Sequence, residues 1–379
     1  MARRGLGRGS MRSVIHVDTV QTVLYSCKNR QVCIVQLEMN QMMNRNGSIA
    51  VYGAGGHTGR FVVQEARRRG LPVIAVGRDA ASLPVEVERR TAAIDDAAAL
   101  QRAFAGCSVV INCAGPFLDT ALPVARAAIR AGCGYIDVTA EQASALACFD
   151  ELDAAARAAG VAVIPAAGFY GGLADLLAST LVRDAAAADV TVAVALDHWW
   201  PTAGTRKTGE RNQVPRQVIE DGRLITMPLP ARRSEWTFDA PHGVQQMVEL
   251  PFSEVITIGR HLRVRALRSL LASSSLEEIR DVSTPAPLAS DEQGRSAQRF
   301  EMVVQVREGA HVRRAAARGR DIYAVSAPLV IEAAERMRQS SFDRMGAMAL
   351  GEAFDVAGFL HALAPEHLEL QFVENAAAA

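Results

Sequence analysis

Between Ser48 and Ile164 short apolar runs alternate with longer stretches of helical period, and few folds accept that rhythm. The runs are Ile49–Tyr52, Val73–Val76, a segment ending at Ile94, Val109–Asn112, Tyr135–Val138 and Val161–Ile164. Each is bounded by glycine or polar residues, as a strand buried on both faces should be. Thr58–Arg69, Ala97–Ala105, Thr120–Ala131 and Glu141–Ala159 read as the intervening helices. Gly70 closes the first, and Pro123 is tolerated in the first turn of the third. This alternation implies βαβ units with right-handed crossovers, hence an α/β fold around a Rossmann-type doubly wound parallel sheet.

Beyond Asp184 the pattern changes. "DVTVAVAL" reads as a strand, and two hairpins are expected, one turning at Asp221-Gly222 and one at Glu308-Gly309. Leu288–Gln298 reads as an exposed loop, Ala324–Arg338 as a helix and "GEAFDVAGFLHAL" as an apolar tail. The division is then 1–46, an N-terminal extension; 47–184, the Rossmann domain; 185–325, a second mixed-sheet α/β (α+β) domain; and 326–379, C-terminal helices.

Composition removes several classes of function. Of 379 residues, 49% are hydrophobic and 22% charged, enough apolar matter for a sizeable core, and the formal net charge is zero. No electrostatic footprint points to nucleic acid or an anionic membrane, and no apolar run is long enough for a membrane span. Six cysteines show no CxxC spacing and no paired histidines, so neither a metal site nor a disulfide framework is expected. Reduced thiols fit a cytoplasmic chain. In residues 1–46 the basic "MARRGLGRGSMR" precedes a segment broken by His16, Asp18 and Gln21, which is no secretory signal. It reads as a poorly ordered extension or a start assigned upstream of Met43, with a transit-like or partner-binding arm as the alternative.

The handover from first strand to first helix is Gly53-Ala54-Gly55-Gly56-His57-Thr58-Gly59. Unpaired backbone N–H groups and the positive end of the helix dipole meet a phosphate there, and glycine keeps the approach open. Thr58 occupies the place of the third glycine in G-x-G-x-x-G, so the working spacing is Gly53, Gly56 and Gly59. After the second strand come Gly77-Arg78-Asp79. Arg78 suits a 2′-phosphate, which favours NADP over NAD, whereas Asp79 either holds a ribose or caps the next helix. Of Asp95-Asp96, Asp95 is placed near the adenine, and Asp96 is an equally good helix cap. The turn Asn112-Cys113-Ala114-Gly115-Pro116, ending the fourth strand, lies on the same carboxyl edge and offers its backbone to ribose or nicotinamide. Cys113 has no base beside it and reads as a small buried hydrophobe.

"AVYGAGGHTGR", "VVINCAGPFLDTALPVARAAIRAGCGYIDVTAEQ" and "GFYGGLADLLA" resemble the saccharopine dehydrogenase-like NADP-binding oxidoreductases, a family that includes saccharopine reductases and trans-acting enoyl reductases. The likeness covers Ser48 to about Asp184 and fades beyond it. It implies an NADP-binding domain, a second domain carrying substrate and homodimer contacts, and C-terminal helices packing back on the first domain. The family's cofactor glycines carry onto Gly53, Gly56 and Gly59, and its post-strand turn onto Cys113–Pro116. Two motifs depart from the family pattern: Ala140 replaces a common glycine in Asp137-Val138-Thr139-Ala140-Glu141. Gly168-Phe169-Tyr170-Gly171-Gly172 lacks the usual aspartate and proline.

Hydride chemistry also needs a proton source. The Tyr-x-x-x-Lys pair of short-chain dehydrogenases is absent: Leu24 and Ala203 stand four residues before the two lysines. Asp137, Glu141 and Tyr170 are the candidate acids, Thr139 and Lys207 the candidate substrate ligands, and His198 beside Trp199-Trp200 a further wall. Each also has a purely structural reading. The leading expectation is an NADP(H)-dependent oxidoreductase reducing a C=N or C=C bond of a small or acyl substrate. The alternatives are a non-catalytic NADP-binding redox sensor and a homospermidine synthase-like enzyme.

Overall fold

In strand β1 (Ser48–Tyr52) Ile49 and Val51 enter one core while Ala50 and Tyr52 enter another. Side chains alternate across a strand, so an unbroken apolar run demands packing on both faces. A computed structural model describes residues 46–374. Apart from Asn46, the expected N-terminal extension lies outside the described residues.

From β1 the chain passes through α1 (His57–Arg68), β2 (Val73–Gly77), β3 (Glu88–Thr91), α2 (Ala97–Phe104), β4 (Cys107–Asn112), α3 (Phe117–Arg130), β5 (Gly134–Asp137), α4 (Gln142–Ala159) and β6 (Ala162–Ile164). The strands pair in parallel in the order β3-β2-β1-β4-β5-β6, a Rossmann sheet. Chain direction across the sheet reverses between β1 and β4. Tyr52 lies opposite Asn112 there, so the turns that follow the two strands meet at one point on the carboxyl edge.

A π-helical turn (Phe169–Leu173) then leads into α5 (Ala174–Leu181). The second sheet follows: β7 (Ala188–Leu196), helix α6 (Ala203–Arg211), β8 (Gln217–Glu220), β9 (Arg223–Thr226), β10 (Arg233–Thr237), β11 (Val244–Glu249), α7 (Glu254–Leu262), β12 (Ala266–Ala272), α8 (Ser273–Arg280), β13 (Arg299–Glu308) and β14 (His311–Arg320). This sheet is mixed: β12 runs parallel to β7, while β13 and β14 are antiparallel neighbours. The β8–β9 hairpin turns at Asp221 and Gly222, both with positive φ, as a tight two-residue hairpin requires.

The last segment supplies α9 (Ser326–Met337), β15 (Gly346–Ala347), α10 (Leu350–Ala353), α11 (Val356–Leu363) and β16 (Glu369–Glu374). Arg69, at the end of α1, reaches Glu332 on α9 at 2.6 Å and Glu65 at 2.7 Å. The segment is not only helical: β15 joins the Rossmann sheet in parallel beside β6, and β16 pairs with β14 at the edge of the second sheet. One apolar core runs through both sheets, from Ile49, Ile111 and Ile164 to Val192, Leu267, Met302 and Ala317. That shared core fixes the second sheet over the carboxyl edge of the first. Among the described residues no helix is long and apolar enough to cross a membrane.

Candidate active site

The glycine turn is held by backbone demands. Gly53 has φ +81°, and a Cβ on it would meet the Ala114 backbone N at 2.9 Å. A Cβ on Gly59 would stand 2.2 Å from the Gly53 carbonyl oxygen, and one on Gly55 would stand 2.6 Å from that of Ser82. Gly56 is roomier at 3.2 Å. The sterically strict positions are therefore 53, 55 and 59, not the 53, 56 and 59 that spacing alone suggested. Gly56 is instead the N-cap of α1, with no side-chain cap and no acidic residue in the first turn. The positive end of that helix is left uncompensated. Gly53, Gly55, Gly56, His57 and Thr58 line one cavity of about 950 Å³; Gly59 lies behind it, letting α1 sit close to the turn.

Along the same cavity stand Arg78, Ser82 and Asp95. Asp79 is occupied as a helix cap, accepting the Ala81 N–H at 3.0 Å, and Asp96 accepts that of Ala99 at 2.8 Å. This removes the carboxylate that a ribose diol would want beside β2 and leaves Arg78 without an ion-pair partner among the described residues. An uncapped helix N-terminus, a glycine turn and an unpaired arginine fit a dinucleotide carrying a 2′-phosphate.

Opposite lies the turn after β4, where Cys113, Ala114, Gly115 and Pro116 all line the cavity. Asn112 does not. It is fully buried beneath the turn, its Oδ1 accepting the Ala114 N–H at 3.0 Å and its Nδ2 donating to Thr120 and Tyr135. Burial, reinforced by the nearby Asp137 charge, pushes the Cys113 thiol up, so it is no ready nucleophile.

The three candidate acids separate cleanly. Asp137 is fully buried and off the cavity wall; Oδ1 accepts the N–H groups of Thr139 and Ala166 at 3.0 and 2.8 Å, and Oδ2 the Tyr135 hydroxyl at 2.9 Å. Burial raises its carboxyl to about 6, against those three donors. Glu141 reaches the wall, but its oxygens cap α3 by accepting the N–H groups of Phe117 and Leu118 at 2.7 and 3.3 Å. Tyr170 lines the cavity with a buried hydroxyl that has no partner among the described residues. Burial raises its pKa well above the usual value, and the Arg216 charge opposes that rise. Thr139 is also off the wall, its Oγ1 accepting the Glu141 N–H at 3.0 Å. Lys207 lines the opposite side, exposed on α6.

Around Tyr170 the chamber is aromatic. Its ring stacks on Phe252 with centroids 4.1 Å apart, and Phe169 and Trp199 lie 5.0 and 6.1 Å away. The Arg216 guanidinium sits 4.8 Å from the centre of Phe252. Tyr323 is a contrast: its hydroxyl accepts from Trp199 Nε1 at 3.1 Å and from the Thr202 N–H at 3.4 Å, and bonds Thr205 at 3.0 Å. It pins the segment entering α6. His57 packs edge-on against Tyr323, and burial lowers its pKa.

Residues 49–164 match the family model described as the saccharopine dehydrogenase NADP binding domain. That stretch is similar to the NADP-binding domain of the saccharopine dehydrogenase-like family. No curated protein matches the chain. Among solved structures, apo saccharopine dehydrogenase (L-Glu forming) from Saccharomyces cerevisiae is similar in fold at TM-score 0.58 and 12% identity, over 86% of this chain and 100% of that one. A mutant meso-DAPDH of Clostridium tetani E88 aligns over 84% of this chain and 96% of its own, at 12% identity and TM-score 0.45.

Just beyond the matched residues, the altered Gly168–Gly172 segment has a local cause. A Cβ on Gly171 would meet the Ala166 carbonyl at 2.3 Å, and one on Gly172 would meet that of Ala167 at 2.4 Å. Both glycines permit the π-helical turn that presents Tyr170. Ala166, with φ +56°, lies in the turn between β6 and that π-helical turn and is the residue whose N–H Asp137 holds. His198 faces away, bonded to Glu278 at 2.8 Å, while its neighbour Trp199 lines the cavity. Ser82, Arg216, Phe252, Tyr323 and Ser326 also line it without any sequence signal except the aromatic character of two of them.

Proposed function

We propose that the protein is an NADP(H)-dependent oxidoreductase that reduces a C=N or C=C bond of a small or acyl substrate. The observation that carries this reading is the continuity of the cavity, from the glycine turn and Arg78 to Tyr170, whose buried hydroxyl has no partner among the described residues. The N-terminus of α1 would hold the pyrophosphate, Arg78 with Ser82 the 2′-phosphate, and Cys113–Pro116 the nicotinamide ribose. When bound, NADPH supplies a hydride to one atom of the double bond.

The chain's own residues supply the proton. Tyr170 is the proton donor in this reading, because Glu141 spends its oxygens on backbone N–H groups and Asp137 on backbone N–H groups and the Tyr135 hydroxyl, whereas the Tyr170 hydroxyl is uncommitted. Its O–H bond breaks toward the second atom of the double bond, and solvent restores the proton after product leaves. The neighbouring Arg216 charge stabilises the transient phenolate. Asp137 is a positioning residue: through Ala166 it holds the segment that leads into the turn carrying Tyr170. The aromatic walls keep water from the reacting bond.

Following NADPH oxidation and label transfer from deuterated NADPH with cyclic imines and enoyl thioesters tests the reading. Tyr170→Phe should lower kcat about a hundredfold or more, the usual scale for a general acid, while NADPH affinity stays put. Tight NADPH binding with no turnover on either class would favour the sensor instead.

A further inference from the structure

Arg216 stands in the chamber with most of its donors idle. One bond is made, from Nη1 to the Pro251 carbonyl oxygen at 2.5 Å, and among the described residues no carboxylate lies within ion-pair distance of it. Burial lowers its pKa, with Glu254 acting against the change from a distance. Glu254 is itself fully buried, with one oxygen accepting the Phe252 N–H at 2.8 Å. A half-buried guanidinium, with five donors in a planar fork, is costly to leave unpaired. It is shaped for a bidentate carboxylate.

Two further observations narrow what carries that carboxylate. Tyr170 and Phe252 stack on each other at 28° and 4.1 Å, with Arg216 over the Phe252 ring and Trp199 6.2 Å from it, so the wall is one tightly packed aromatic cluster that favours a flat, apolar body lying along it. The only carboxylates lining the cavity among the described residues are Asp95 and Glu141. Asp95 follows β3 at the far edge of the sheet, and Glu141 is taken up by two backbone N–H groups. An ammonium group beside the reacting bond would find no counter-charge.

We infer that the chamber takes a planar, conjugated carboxylic acid without an amino group, an aryl-substituted α,β-unsaturated acid being its simplest member, with the carboxylate on Arg216 and the flat body against Tyr170, Phe252 and Trp199. The inference rests on the reading that this cavity is where substrate is reduced. Because Arg216 and Tyr170 both pack on Phe252, an acid anchored on the first brings a double bond close to its carboxylate toward the hydroxyl of the second. The aliphatic, amine-bearing acids lose on both counts.

Calorimetric titration of the NADP-loaded full chain with cinnamate, cinnamamide, 3-cyclohexylacrylate and phenylalanine tests this. Cinnamate should bind at least tenfold more tightly than each of the others. Arg216→Gln should close the gap between cinnamate and cinnamamide and leave NADPH affinity unchanged. Equal affinity of the native protein for acid and amide, or tighter binding of phenylalanine, overturns the inference, and neither result depends on the variant folding. A gap that persists in Arg216→Gln overturns the role given to that residue. Cinnamate preference with no NADPH consumed by any acceptor would sink the reductase reading while the subsite stood. Imine turnover without aryl-acid binding would do the reverse.

Discussion

The two ends of the cavity are made of different material. At the cofactor end the wall is largely backbone: a glycine turn, a helix N-terminus and the small-residue turn after β4. At the other end it is side chains drawn from Tyr170, Trp199, Arg216, Phe252 and Tyr323, five separate stretches of sequence. The first arrangement serves a ligand whose phosphates any chain of this fold can cradle with N–H groups. The second can be rewritten one side chain at a time without disturbing the sheet, which is how one scaffold comes to serve many substrates. The two tyrosines sharpen the contrast. Tyr323 has its hydroxyl saturated and acts as a bolt, whereas the buried hydroxyl of Tyr170 has no partner among the described residues.

If the cofactor end is truly a matter of backbone, the smallest possible side chain there should do the most damage. Gly59→Ala puts a methyl group 2.2 Å from the Gly53 carbonyl oxygen, and a loss on the order of 3 kcal/mol is expected. Chemical denaturation should show a lower midpoint, with NADPH binding lost alongside. An unchanged midpoint would break the comparison. A single side chain matters at that end too, at Arg78. Arg78→Ala should weaken NADPH about tenfold to a hundredfold, the scale of a charge-assisted hydrogen bond, and leave NADH untouched. Loss of both cofactors equally would show that Arg78 only supports the turn.

The smallest effect concerns the support behind the aromatic end. His261 on α7 bonds the buried Asp175 of α5 at 2.6 Å, and Asp175 also accepts the Gly351 N–H at 2.7 Å, clamping α10. Burial works against the charged imidazole, but the Asp175 carboxylate outweighs it, and the His261 pKa is raised. A raised folded-state value means the contribution is fully present below the unfolded value of about 6.5 and fades as pH rises through the folded one. Stability should therefore fall gently as pH rises above about 6.5, and His261→Gln should flatten that slope without moving NADPH affinity.

How much of this was legible in the sequence follows from the same contrast. The Rossmann strands could be read because a strand buried on both faces must be an unbroken apolar run. Gly53 announced the turn because only glycine tolerates its positive φ beside Ala114. Asp79 and Asp96 were undecidable from spacing, since the same carboxylate that holds a ribose also caps a helix, and the structure gives both to caps. Asp137 and Thr139 looked like chemistry for a similar reason: short polar side chains at the carboxyl edge serve loops as readily as substrates. Arg216 left no mark at all. It arrives from the second sheet's side, and no periodicity encodes which distant ring it will rest on. Strands β10 and β16 were hidden by their charged residues, exposed at the sheet's two edges.

The strand β15 has a consequence in the order of synthesis. Gly346 donates its N–H to the Val161 carbonyl at 2.9 Å and Met348 to that of Val163 at 3.0 Å, so the outer edge of β6 is finished only by residues near the far end of the chain. On a ribosome adding about 5–20 residues each second, β6 waits with its backbone groups open while strands β7 to β14 of the second sheet are being made. An open, apolar edge is a template for wrong pairing. During that interval the growing chain carries its own hazard, and it ends only when β15 takes its place beside β6.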